Sequence, residues 1–320
     1  MTDFLYDIPE NPRPEKGVSG FLTRRDGKRL RYARFAATTR PLHGTVVLLP
    51  GRNESIEKYF ETIRDLARRG FGVATLDWRG QGGSDRLLRD GARGHVRSFD
   101  DYVHDLEQLF TEIVLPDCRG PYYILAHSTG ALVALLAAPS LSNRVRRMVL
   151  LAPFLALYNA PLSMKALGRV ASICYGLGLG RLYAPGTRDT RTPVPFASNV
   201  LTSDPQRYER NGRICAAYPQ LALGGPTVAW IRAASKAIAR VSEPEFMARI
   251  QIPTLLIAAG ADKVVSSHAV EDYARRLRVG SLLTIYGARH EILQESDFYR
   301  EQFLAAFDAF IPGSDAPTGH

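Results

Sequence analysis

The sequence predicts an α/β protein: a mostly parallel central sheet of about eight strands, helices on both faces, and one inserted, mainly helical segment. Three observations lead there. Short apolar runs alternate with helical patterns along two long stretches of the chain. Several of these runs are apolar at every position rather than every second one, as strands covered on both faces are. Between the two stretches, roughly residues 154–225 are rich in Gly, Pro, Tyr and Leu and show no clear strand pattern.

Each element follows in order. Residues 1–17 are proline-rich and polar, an extended lead-in. Strands at 20–24 and 30–36 flank Asp26-Gly27, a hairpin signal. A buried-strand run at 45–49 precedes a helix at about 56–69 and a strand at 71–76. Residues 99–114 read as an amphipathic helix with Tyr102, Leu106, Phe110 and Ile113 on one face. A strand at 122–125 leads into a small-residue helix at 131–136, and a strand follows at 147–151. After the irregular segment come a helix at 228–240, a strand at 253–258, a helix at 269–277, a strand at 282–285 and a helix at 298–310. The chain thus divides into a first core part (1–153), an inserted cap (154–225) and a second core part (226–320).

Composition narrows the function. An apolar content of 45% suits a globular core and argues against disorder. Cys118, Cys174 and Cys215 form no CxxC pair and no metal-ligand spacing, so reduced thiols in a cytoplasmic protein are expected. The first residues lack a signal-peptide pattern, and no apolar run is long enough to span a bilayer. The net charge is +9, and only six of the 41 basic residues are lysine. Arginine-rich composition and attraction to an anionic membrane surface both account for that excess, which leaves peripheral membrane contact open. Nucleic acid is not an expected partner, because the basic cluster at 24–29 sits on a hairpin turn without interleaved aromatics.

The chemistry centres on Ala126-His127-Ser128-Thr129-Gly130, between a β-prone run and a helix. A serine on such a corner is lifted out of the sheet, and the next amide points at the same reacting atom. Small residues are needed two positions to either side because backbones approach closely there. A serine hydroxyl needs a base, and the base needs an orienting group. In open α/β sheets these gather beyond the carboxyl ends of strands. Asp262 follows the 253–258 strand and His290 follows the 282–285 strand, giving the chain order Ser, Asp, His. The alternative for Asp262 is a loop residue that caps the next helix; for His290 it is a surface loop position. His268, His104, His43, His95 and His320 are less well placed, and His127 is expected to pack or bond structurally. The oxyanion of an acyl intermediate needs two amide donors. Thr129 N–H is one, and Arg52 N–H, in the loop after the 45–49 strand beside Gly51, is the other. The Arg52 side chain is a separate candidate for contacting a phosphate or carboxylate on the substrate. The glycine-rich loop at 77–84 lacks the P-loop ending and GxGxxG spacing, so it is expected to be structural, with Asp77 and Arg79 paired internally. No metal or organic cofactor is implied.

At this point the chain resembles the α/β-hydrolase fold family, in the serine aminopeptidase-like branch that holds bacterial lysophospholipases and monoacylglycerol lipases. The resemblance is carried by Pro50-Gly51-Arg52-Asn53-Glu54-Ser55, Asp77-Trp78-Arg79-Gly80-Gln81-Gly82, the Ser128 corner, Gly260-Ala261-Asp262 and His290. It spans residues 18 to 310 and is vague in the cap. Gly94-His95-Val96 and Phe99-Asp100-Asp101-Tyr102 resemble the lysophospholipase group especially, as does Pro50 where monoacylglycerol lipases usually carry histidine. What the resemblance implies is hydrolysis of a single-chain lipid ester, a lysophospholipid first and a monoacylglycerol or other ester as the alternative. A non-catalytic lipid-binding protein on the same fold is the competitor of another class. Leu155, Leu157, Tyr158, Leu162, Met164, Leu167, Leu177 and Leu179 of the cap are candidates to line an acyl tunnel, or simply to hold the cap to the core.

Overall fold

Aliphatic runs bounded by Gly, Pro and polar turns form the strands in the computed structural model, which describes residues 4–24, 26–185 and 194–311. The strands are β1 (Gly17–Thr23), β2 (Arg29–Phe35), β3 (Gly44–Leu49), β4 (Phe71–Leu76), β5 (Tyr122–His127), β6 (Val145–Leu151), β7 (Thr254–Ala259) and β8 (Gly280–Ile285). They make one eight-stranded sheet in the order β1-β2-β4-β3-β5-β6-β7-β8. The β1–β2 hairpin and the β2–β4 pair are antiparallel, and every other neighbour is parallel.

The central strands are buried on both faces. Along β3, Val47 and Leu49 enter one core while Val46 and Leu48 enter the other. The helices α1 (Phe60–Arg68) and α10 (Asp297–Phe310) cover the second face with Phe60, Ile63, Leu66, Phe303 and Phe307. The first face is covered by α2 (Asp100–Leu109), α4 (Thr129–Leu141), α7 (Val228–Val241) and α9 (Ser267–Arg276). Nearly every residue of α4 is buried, which fits a helix that is apolar all round. The expected 99–114 helix is observed as α2 running through a π-helical stretch, Phe110–Val114, into a short α3 (Leu115–Asp117).

Between β6 and β7 no described residue joins the sheet. This stretch holds α5 (Met164–Gly176), α6 (Pro205–Ala217), α7 and a short α8 (Pro244–Ala248). Ser163, Asp204 and Thr227 cap α5, α6 and α7 by accepting backbone N–H groups with their side chains. Sequence reading assigns α7 to the resumed core, yet it packs on α5 of the insertion as well as on α4. The small residues Gly168 and Ser235 let these two helices approach closely. Helix α6 is held to the core electrostatically, with Arg207 and Arg210 both on Glu61 of α1 at 2.7 Å.

The chain leaves β3 toward β4 on one side and reaches β5 on the other. The carboxyl ends of β3 and β5 therefore flank the point where strand order reverses, the crevice at which open α/β sheets hold ligands. The sequence-predicted groups follow the ends of β3, β5, β7 and β8.

Candidate active site

Ser128 alone makes the turn between β5 and α4, at φ 52° and ψ −112°. Such a conformation is strained for a residue with a Cβ and is held by its surroundings. Ser128 N–H donates to Leu151 O at 2.9 Å, and its carbonyl accepts from Phe154 N–H at 3.2 Å. A Cβ on Gly130 would sit 2.5 Å from both Leu49 O and Pro50 O, so this position requires glycine. The Ala126 methyl is fully buried and fits.

His290 stands between Ser128 and Asp262. Its Nδ1 is 2.7 Å from Asp262 Oδ2, and its Nε2 is 3.1 Å from Ser128 Oγ. A carboxylate only accepts, so Nδ1 carries the proton and Nε2 is free to accept from the hydroxyl. Asp262 Oδ1 accepts from Val264 N–H (2.7 Å) and Val265 N–H (2.9 Å), which fixes the carboxylate. All three residues are buried, Ser128 at 8% exposure and the others at 5%. The rival histidines lie elsewhere: His268 is exposed beside Asp272, His104 is exposed, and His95 bonds Thr227. His320 lies outside the described residues.

The loop after β3 meets the start of α4, where Pro50 O contacts the Gly130 position. Among the described residues neither Arg52 N–H nor Thr129 N–H has an acceptor. Thr129 opens a helix, whose first amides are unpaired by geometry and electropositive. The Arg52 loop is fixed from beneath. Trp78 Nε1 donates to Pro50 O (2.8 Å), Gln81 Nε2 donates to Gly51 O (2.8 Å), and Gly51 N–H donates to the Glu54 carboxylate. Asn53 takes φ 60°, and its Oδ1 accepts from Leu223 N–H at 2.8 Å.

Sequence reasoning missed the buried charge network under this loop. Glu54 accepts from Lys58 Nζ (2.9 Å), from the Tyr59 hydroxyl and from His127 Nδ1 (3.1 Å), while His127 Nε2 donates to His290 O (3.1 Å). One carboxylate thus ties Gly51 to the backbone of His290 through the residue before Ser128. Burial opposes ionisation of Glu54, but Lys58 and His127 override it and hold the carboxyl well below its usual range. Burial likewise disfavours the His127 cation, and Glu54 outweighs it, raising that pKa. Both His127 nitrogens face acceptors, which suits the doubly protonated ring. An acid three residues beyond Gly51, with a histidine preceding Ser128, was the available signal.

Asp77 and Arg79 are both paired inside the protein, though not with each other. Asp77 pairs with Arg31 of β2 at 2.6 Å, and Arg79 pairs with Asp105 of α2 at 2.5 Å. The two side chains leave the strand end toward different neighbours, an adjacent strand and a covering helix. Of the cap candidates for an acyl tunnel, Leu155 and Met164 are buried, whereas Tyr158, Leu162, Leu177 and Leu179 are on the surface. The insertion does reach the turn that carries His290: Leu201 O accepts from Glu291 N–H (2.8 Å), and Arg289 Nη1 donates to Asn199 O (3.1 Å) and Thr202 O (2.9 Å). Among the described residues no cluster of His, Cys, Asp and Glu is arranged to hold a metal ion.

Comparison with known proteins puts this geometry in context. A family profile described as serine aminopeptidase, S33, matches residues 40–297. Lysophospholipase L2 of Escherichia coli strain K12 is 35% identical over 306 residues, covering 91% of this chain and 86% of that protein. Two solved structures share the α/β-hydrolase fold at 19% identity. A soluble variant of monoglyceride lipase from Saccharomyces cerevisiae has a TM-score of 0.73, covering 97% of this chain and 98% of its own. A carboxyl esterase from Bacillus coagulans has a TM-score of 0.74, covering 94% of this chain and 99% of its own.

Proposed function

The chain belongs to the serine aminopeptidase S33 family, and from that premise we propose a serine-dependent carboxylic ester hydrolase that cleaves single-chain lipid esters, the acyl ester of a lysophospholipid above all. The observation that carries this reading is the unbroken hydrogen-bond chain from Ser128 Oγ through His290 to Asp262. In the first step Ser128 Oγ attacks the ester carbonyl carbon while His290 Nε2 takes the hydroxyl proton. Asp262 holds the ring and stabilises the imidazolium. The Arg52 and Thr129 amides receive the oxyanion, each such donor contributing roughly 10²–10³ in turnover. As the tetrahedral intermediate collapses, the glycerol oxygen leaves with the proton from His290. Water then attacks the acyl-enzyme, His290 takes its proton, and the fatty acid departs as Ser128 Oγ is reprotonated.

Three further parts belong to the reading. Residues 154–225 act as a cap over the carboxyl edge of the sheet. The protein works in the cytoplasm, in keeping with its three free cysteines; among the described residues no helix is long and apolar enough to cross a membrane. It meets its lipid at an anionic membrane surface through the outer face of α5. No acidic residue occurs between Asp117 and Asp189, and Lys165, Arg169, Ile173 and Leu177 form an exposed row along α5 at four-residue spacing.

The lysophospholipid choice draws support from the Escherichia coli relative. A monoacylglycerol is the second reading, favoured by the same arrangement of Ser128, Asp262 and His290. Turnover of lysophosphatidylcholine, monoolein, a short-chain ester and an aminoacyl arylamide, run beside Ser128→Ala, tests the proposal. Fastest turnover of a lipid ester, abolished in Ser128→Ala, is expected. Arylamide cleavage with no ester turnover contradicts it.

A further inference from the structure

The Arg52 guanidinium, like those of Arg86 and Arg289, has no carboxylate partner among the described residues, and of the three it alone belongs to the loop assigned to the oxyanion. Arg31 is paired with Asp77 and Glu57, Arg79 with Asp105, and Arg300 with Asp65. Among the described residues Arg52 has no carboxylate within ion-pair distance, and its one hydrogen bond runs from Nη1 to Gly224 O at 2.8 Å. Its other nitrogens are neither fully enclosed nor hydrogen-bonded among the described residues. A Cβ on Gly94 would come within 3.3 Å of both Nη1 and Leu223 Cδ2, so glycine there lets the guanidinium pack close to the chain.

The position of this cation is what gives it meaning. Its Cζ lies 5.9 Å from the centroid of the Trp230 ring. Trp230 stacks on Phe154 (5.9 Å, 17°), and Phe154 N–H donates to the carbonyl of Ser128. The guanidinium therefore stands over an aromatic wall whose other end adjoins the nucleophile turn, and it hangs from the residue whose amide is assigned to the oxyanion. Burial without an acid partner pulls its pKa down to about 10, which leaves it protonated at neutral pH. A half-buried cation with planar N–H donors to spare is matched by a phosphate or carboxylate oxygen pair.

We propose that the Arg52 side chain recognises the substrate's head group, binding the phosphodiester oxygens of a lysophospholipid whose ester carbonyl sits against the Arg52 and Thr129 amides. This deepens the lipid-ester reading and rests on it. The phosphodiester lies on the leaving-group side of the scissile bond, separated from the ester oxygen by the glycerol carbons, so one residue addresses both ends of that segment. The main chain stabilises the developing oxyanion, and the side chain selects an anionic head group over a neutral one. The bonds that brace this loop run to Pro50 O, Gly51 O and Gly51 N–H, and none involves the Arg52 side chain.

The test compares lysophosphatidylcholine with a monoacylglycerol of the same acyl chain in the wild-type, Arg52→Gln and Arg52→Lys proteins. Charge-assisted hydrogen bonds of this kind correspond to roughly 10- to 100-fold, so the ratio of kcat/KM for the two substrates is expected to fall about tenfold or more in Arg52→Gln, chiefly through KM, and to recover in part in Arg52→Lys. Equal losses on both substrates overturn the proposal, because they mean that Arg52 only braces the cap through Gly224; an unchanged ratio overturns it too. A second measurement separates this claim from the hydrolase reading. In the Ser128→Ala background, calorimetry with an ether-linked lysophosphatidylcholine below its micellar concentration is expected to show at least tenfold weaker binding on Arg52→Gln. Arg52-dependent binding without ester turnover by the active protein keeps the head-group site and sinks the hydrolase. Ester turnover with Arg52-independent binding does the reverse.

Discussion

Glu54 shows how much of the site's geometry depends on one buried side chain. It receives the Gly51 amide, the Tyr59 hydroxyl, Lys58 and His127, and His127 in turn holds the carbonyl of His290. Removing one partner of a buried pair costs about 3–5 kcal/mol, because the remaining charge is left uncompensated. Glu54→Gln is therefore expected to lower Tm and to slow turnover by loosening both the Arg52 loop and the His290 loop. The pH dependence follows from the two shifts. The depressed Glu54 contributes stability above its unfolded pKa, and that stability is lost as pH falls through the lower folded value. The raised His127 contributes stability below its unfolded pKa, lost as pH rises through the higher folded value. The Tm difference between wild type and Glu54→Gln should be largest between roughly pH 4.5 and 6.5, the ordinary pKa values of the two groups. Thermal melts across pH 3 to 9 check this, and a difference that does not vary with pH contradicts it.

Among the elements, the strands explain why reading the sequence succeeded for the core. Runs such as Thr45-Val46-Val47-Leu48-Leu49 have no other plausible home than a doubly covered sheet, and the turns after β7 and β8 sit where the chain itself marks them with Gly260 and Gly287. The insertion was less legible because it supplies no strand to the sheet and the apolar residues of its helices serve two purposes. Met164 and Ala171 of α5 face inward, while Val170, Ile173 and Leu177 are more than half exposed. That outer row, flanked by Lys165 and Arg169, gives the helix its proposed contact with an anionic bilayer. Each basic residue near such a surface contributes about 1 kcal/mol, and the attraction weakens with salt. Sedimentation with phosphatidylglycerol-containing vesicles is expected to retain the wild type at low salt. The double change Lys165→Glu and Arg169→Glu should release it while leaving turnover of a water-soluble ester in place. Equal sedimentation of both proteins contradicts that surface.

At the scale of the whole molecule, strand order converts distance along the chain into proximity. Ser128, Asp262 and His290 lie on three turns of one sheet edge, separated by 134 and then 28 positions in sequence. Those three residues and the Arg52 loop were legible because strand ends are where an open sheet gathers its reactive groups. The long-range polar pairs were not, since nothing local in Asp77 or Arg79 says that one turns to Arg31 and the other to Asp105. Likewise Glu54 reads as an ordinary loop acid until the fold brings His127 against it. The central claim is that Ser128 is a nucleophile activated by His290. Intact-mass analysis with peptide mapping after exposure to a fluorophosphonate tests it most directly. A single adduct on Ser128 is expected in the wild type, formed at least a hundredfold more slowly in His290→Ala and absent from Ser128→Ala. Folded wild-type protein that takes no adduct, or takes one on a residue other than Ser128, contradicts the account.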